Sequence, residues 1–175
     1  LRKLLAAVLL AAVAGDAPSK FGVGRAATAE ELSTRDITVL SNGTGLPVGH
    51  GTAREGRQPY LNRCAVCHGA RGEGQGDYPP LAGGRGSLTT DNPLPTVGSY
   101  WPYATTVWDY IRRAMPYDHP NILRPDEVYA ITAYVLHLNG IVSDDEVLSE
   151  TTLPKVRMPN RDGFVDDPRP DVKAK

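Results

Sequence analysis

Both cysteines of this 175-residue chain fall within four positions, Cys64 and Cys67, and His68 follows directly. Two thiols and an imidazole on a single turn restrict the chemistry more than any other stretch of the sequence. A structural disulfide is a poor reading, because closing so short a loop removes little chain entropy. A thioredoxin-like dithiol calls for a strand before the motif, whereas a helical pattern precedes this one. A structural zinc site needs four ligands, and no second Cys/His cluster is present. Covalent haem attachment satisfies every residue: each thiol adds to one haem vinyl group, and the adjacent imidazole reaches the iron.

The N-terminus suits that chemistry. Arg2 and Lys3 precede an unbroken apolar run, Leu4 to Ala14, that ends in an A-x-A pattern at Ala12–Ala14. This is the layout of a secretory signal over 1–15, with export to the periplasm as its consequence. As a helix the run would extend about 16 Å, short of a hydrocarbon core about 30 Å thick, so no transmembrane span is expected after signal removal. An uncleaved anchor is the alternative. With 41% hydrophobic residues, 18 glycines and 15 prolines gathered outside the periodic segments, the chain reads as one core with irregular arms. Its net charge of −1 argues against a nucleic-acid surface.

Three segments carry helical periodicity. Residues 52–67 open on Thr52 and Glu55, a capping-box pair, and Gly56, Tyr60 and Cys64 then share a face. A glycine inside a helix costs about 1 kcal/mol, which makes sense where a second helix crosses close to the backbone. The crossing partner is expected at 125–139, with Pro125 in its first turn, an apolar stripe of Val128, Ile131, Tyr134, Val135 and Leu138, and Asn139-Gly140 as its stop. The third is 104–115, where Val107, Ile111, Ala114 and Met115 share a face. The glycine-rich segment 69–77 lacks the strand and Gly-Lys-Ser/Thr context of a phosphate loop.

Gly56-x-x-x-Tyr60-x-x-x-Cys64-x-x-Cys67-His68, then Pro79-Pro80-Leu81, Met115-Pro116 and an aromatic at Tyr134, resembles a class I cytochrome c over residues 52–140. The blocks GRAATAEEL, GSYWPYATTVWDYIRRAMP and VRMPNRDGFVDDPRP extend the likeness from about Gly24 to Pro170. They resemble the cytochrome subunit of Sox sulfane dehydrogenase and the cytochrome partners of molybdenum sulfite dehydrogenases. A single Cys-x-x-Cys-His motif departs from the larger Sox subunits and excludes a dihaem protein.

The resemblance implies an all-α class I cytochrome c fold around one haem c attached through Cys64 and Cys67. Its boundaries are a signal at 1–15, an N-terminal arm at 16–50, a haem domain at 51–141 and a C-terminal extension at 142–175. His68 supplies one iron ligand, with Pro79 accepting its other ring N–H, and Leu81 lies beside the cofactor. Met115 is the expected second ligand; Met158, His50, His119 and His137 are the alternatives. Trp101 or Tyr103 is a candidate hydrogen-bond donor to a propionate, and Arg112 a candidate for neutralising one. Tyr100, Trp101, Tyr103, Trp108 and Tyr110 read as a packed wall of the haem pocket. With both axial positions filled by side chains, the function implied is electron transfer rather than catalysis. The electron donor would be a molybdenum-containing sulfite or sulfane dehydrogenase, and the acceptor a downstream cytochrome or oxidase of the respiratory chain. A general soluble shuttle to a terminal oxidase, or a haem enzyme or sensor with a labile Met115, are the other readings.

Overall fold

A computed structural model describes residues 21, 23–167 and 169, so the expected signal and the extreme C-terminus lie outside the described residues. The chain divides into two compact units, Leu1–Ile37 and Thr38–Lys175. In the first, α1 spans Ala29–Arg35, capped reciprocally by Thr28 and Glu31. The Arg25 guanidinium, 2.6 Å from the same carboxylate, holds Glu31 at a pKa of about 2.

The second unit is helical. β1 (His50–Gly51) leads into α2 (Ala53–Arg63), a short α3 (Ala65–His68), α4 (Ala104–Ala114), α5 (Pro125–Leu138) and β2 (Leu148–Ser149). Among the described residues no helix is long and apolar enough to cross a membrane. α2 starts where its capping box requires: Glu55 N–H donates to the Thr52 hydroxyl, and Thr52 N–H donates to the Glu55 carboxylate. The helix expected over 52–67 bends at Cys64, whose φ of −113° separates α2 from α3. Helical hydrogen bonding continues through the bend, from Cys64 N–H to Tyr60 C=O and from His68 N–H to Cys64 C=O.

Gly56 meets α5 backbone to backbone. A Cβ there would overlap the Ala130 carbonyl and stand 2.9 Å from the Ile131 nitrogen. Tyr60 and Tyr134 then pack ring to ring, with centroids 5.1 Å apart, a contact of about 0.5–1.5 kcal/mol beyond area burial. On another side of α5, Trp108 of α4 lies 5.2 Å from Tyr129. α5 is therefore central: every residue from Val128 to Leu136 is buried, where the sequence pattern suggested one stripe. Pro125 sits in its first turn, and Gly140 follows its end at φ +64°.

The packed unit exceeds the 51–141 domain expected from the sequence. Val142, Leu148, Leu153, Val156 and Met158 all belong to the core, within the segment read from sequence only as an irregular C-terminal extension. Their spacings match neither helix nor strand period, so no sequence pattern announced them. From the other side, Val39 and Leu46 pack against the same core. β1 pairs antiparallel with β2, His50 opposite Ser149 and Gly51 opposite Leu148. The Tyr129 hydroxyl donates to the Pro47 carbonyl at 2.9 Å, and the Thr105 hydroxyl to that of Ser41 at 3.2 Å.

Candidate functional site

The end of α2 and the one-turn α3 present Cys64, Cys67 and His68, and the following loop returns over them. The Tyr60 hydroxyl, in the α2–α5 core, donates to the Gly69 carbonyl at 2.9 Å and so ties the end of α3 to that core. Burial pushes this hydroxyl well above the ordinary phenol range. Gly69, Gly72, Gly74 and Gly76 all have positive φ, and the chain turns back through them. Gly74 N–H bonds the His68 carbonyl at 2.8 Å, while Leu81 and Ala82 N–H both converge on the Gly72 carbonyl. Glu73 accepts from Arg71 N–H at 2.7 Å, and its own backbone N–H is the largest influence lowering its pKa.

This loop delivers the Pro79 carbonyl to 2.9 Å from His68 Nδ1. A carbonyl can only accept, so Nδ1 carries the proton and the Nε2 lone pair is available to a metal. The two cysteines are free and partly buried. Burial pushes the Cys64 thiol up to about 11, with a lesser push from neighbouring Cys67.

Met115 lies at the C-terminal cap of α4, half-buried, its N–H bonded to Ile111 C=O at 3.1 Å. The other proposed ligands have different surroundings. Met158 is 1% exposed inside the core. A ring nitrogen of His137 lies 3.2 Å from the Val142 carbonyl, His119 sits at the surface 3.1 Å from Asp118, and His50 is exposed.

The aromatics grouped in sequence have different neighbours. Trp101 meets Tyr110 edge-on at 5.6 Å, Tyr100 meets Phe164 at 5.3 Å, and Trp108 turns into the core. Tyr103 lies beneath the Arg161 guanidinium at 4.2 Å, and Arg112 lies 5.6 Å over the Trp108 ring. Trp101 and Tyr110 thus pair with each other, whereas Tyr100 and Tyr103 meet residues of the C-terminal segment. Two further participants carried no recognised functional signal: Arg161, because its position in the C-terminal segment shows no period, and Asn139, because it reads as an ordinary helix stop.

The donor set fits a covalently bound haem. Cys64, Ala65, Leu81, Trp101, Leu138 and Ile141 are half-buried apolar residues packed on the core margin. Such a margin, beside two unpaired thiols and an imidazole of fixed tautomer, suits a flat apolar macrocycle anchored at one edge.

Comparison with known proteins agrees. The cytochrome c family model matches residues 53–139. A chain in the crystal structure of the sulfane dehydrogenase SoxCD from Paracoccus pantotrophus is 46% identical, with a TM-score of 0.80, over 87% of this chain and 75% of that one. A chain of the thiosulfate dehydrogenase TsdBA from Marichromatium purpuratum is 28% identical over 49% of this chain and 17% of that one, with a TM-score of 0.37. No curated protein matches. The paired thiols, the oriented imidazole, the α2–α5 crossing and the likeness to a SoxCD chain together make this chain a member of the cytochrome c family, with one haem c attached through Cys64 and Cys67.

Proposed function

We propose that this protein is a periplasmic electron carrier that accepts electrons from a molybdenum-containing sulfite or sulfane dehydrogenase and passes them to a downstream cytochrome or oxidase. The observation that carries the reading is the His68 ring, held by the Pro79 carbonyl beside the attachment thiols. When bound, haem c supplies a one-electron ferric/ferrous couple. The protein's part is to anchor, orient and shield. Cys64 and Cys67 fix the position, and His68 offers Nε2 as one iron ligand. Met115 would offer its thioether as the other, because it caps α4 half-buried whereas Met158 is sealed in the core. A Met/His pair raises the potential, which suits an acceptor. Leu81 and Trp101 limit water at the apolar margin.

The partner assignment is supported by 46% identity to a chain of a sulfane dehydrogenase, and export by the expected leader and by covalent haem. Trp101 or Tyr103 would donate a hydrogen bond to a haem propionate, and Arg112 would neutralise one. The deciding experiment is stopped-flow mixing of the oxidised cytochrome with a sulfite- or sulfane-oxidising molybdenum enzyme of the same organism and its substrate. Reduction within the enzyme's turnover time is expected. Reduction no faster than by substrate alone would sink the assignment.

A further inference from the structure

Asn139 ends α5, and a helix stop needs little more than a backbone that turns. Its side chain nevertheless makes three hydrogen bonds. Nδ2 donates to the Val135 carbonyl at 2.9 Å and to the Leu81 carbonyl at 3.1 Å, while Oδ1 accepts from Gly83 N–H at 3.1 Å. The amide orientation follows from its partners: two carbonyls require the two-donor nitrogen, and one N–H requires the oxygen. Its backbone carbonyl also accepts from Arg85 at 3.1 Å. The packing leaves no slack, because a Cβ on Gly98 would stand 2.6 Å from Asn139 Cγ and 2.9 Å from Cβ.

The segment so gripped is the one that holds the histidine. Leu81 is fixed at its nitrogen by Gly72 C=O, 2.8 Å, and at its oxygen by Asn139 and by Val97 N–H, 3.2 Å. Between Leu81 and the Pro79 carbonyl, which receives the His68 proton, stands only Pro80. Its φ is locked near about −65° and it has no N–H of its own. A displacement of Leu81 therefore passes through this one stiffened residue, a short lever, to the Pro79 oxygen with little backbone rotation to absorb it.

We propose that Asn139 is a positioning residue for the iron ligand: from the end of α5 it holds the Leu81–Pro79 segment so that the Pro79 carbonyl keeps its hydrogen bond to His68 Nδ1–H. The inference rests on the reading of His68 as an iron ligand. A ring N–H that donates strongly makes the imidazole a better electron donor to the metal and favours the ferric state. Loosening the lever should weaken that bond and raise the reduction potential.

The test uses holoprotein variants Asn139→Leu, which removes the amide's hydrogen bonds at similar size without adding charge, and Asn139→Ala. Tyr129→Phe is the control, since it loses a hydrogen bond from the same helix to Pro47. Both Asn139 variants should show a higher potential and at least about tenfold faster exchange of the His68 ring proton with solvent, read by nuclear magnetic resonance. The control should melt lower with neither readout changed. Asn139 variants that melt lower but keep the wild-type potential and ring-proton exchange would overturn the proposal and leave Asn139 a helix stop. If the variants do not accumulate, wild-type protein decides: the ring proton and the Gly83 amide should share one denaturant dependence of exchange, and independent opening overturns the proposal. Failure of the underlying reading looks different. In that case His68→Gly holoprotein would keep an unchanged low-spin spectrum.

Discussion

The crossing of α2 with α5 and the margin that carries Leu81, Trp101 and Met115 are built to opposite specifications. At the crossing, Gly56 lets two backbones touch, Tyr60 is fully buried, and Ile131 and Val135 are nearly so. At the margin the apolar side chains are half-buried, Tyr110 is 48% exposed, and Trp101 meets it edge-on. The first interface is complete in the polypeptide alone. The second is a half-buried apolar surface, which we propose the haem completes. Substitutions at the two places should therefore fail differently, one in folding and the other in redox chemistry.

Gly56→Leu should give the largest effect. Its Cβ would overlap the Ala130 carbonyl, where backbone cannot yield without moving α5. A loss on the order of 3 kcal/mol is expected, read as a lowered Tm of the holoprotein. A Tm equal to wild type would show that the crossing tolerates separation, and the contrast would collapse. Met115→Ala tests the other side. The haem should stay covalently attached and the fold intact, but the potential should fall and the reduced protein should bind carbon monoxide at neutral pH. An unchanged low-spin spectrum would move the ligand role to another side chain.

Smaller effects concern the surface. Between Gly51 and Ile141 there are eight Arg, no Lys, and eight Asp plus Glu. Val66 is 73% exposed and Tyr117 83% exposed, close in sequence to His68 and Met115 respectively. Docking through a small patch of low charge should make the reduction rate fall only a few-fold as salt rises through the physiological range. A fall of about a hundredfold would point to an uneven field of arginines dominating association. Smallest is Arg161→Ala, which removes a guanidinium 4.2 Å over the Tyr103 ring. About 0.5–1 kcal/mol of stability should be lost, measured by denaturant titration, with the potential within error of wild type. A shifted potential would show that the C-terminal segment reaches the haem environment as well as the core.

The legible parts of the molecule were those governed by local rules. The capping box at Thr52, Pro125 in a first turn, and the glycine that admits a crossing helix are each written in a few adjacent residues. The illegible parts depend on distant partners. Met158 resembled Met115, each followed by proline, yet one is sealed in the core and the other ends a helix half-exposed. The aromatics of 100–110 read as one group, but two of them, Tyr100 and Tyr103, find partners in Phe164 and Arg161, more than fifty residues away, which no local pattern could name.

By itself the sequence determined the chemistry: two thiols and an imidazole on a turn admit few cofactors, and helical periodicity places three helices around them. Only the tertiary structure decided how far the core extends and what grips the Leu81 segment beyond the histidine's carbonyl partner. Val142, Leu148, Leu153, Val156 and Met158 belong to the core without any period to mark them. Asn139 reaches Leu81 and Gly83 across more than fifty residues of chain. The physical reason is common to both. A local motif is set by backbone geometry within a turn or two, whereas burial of an isolated apolar residue, or capture of a distant carbonyl, depends on the position of the rest of the chain after it has packed.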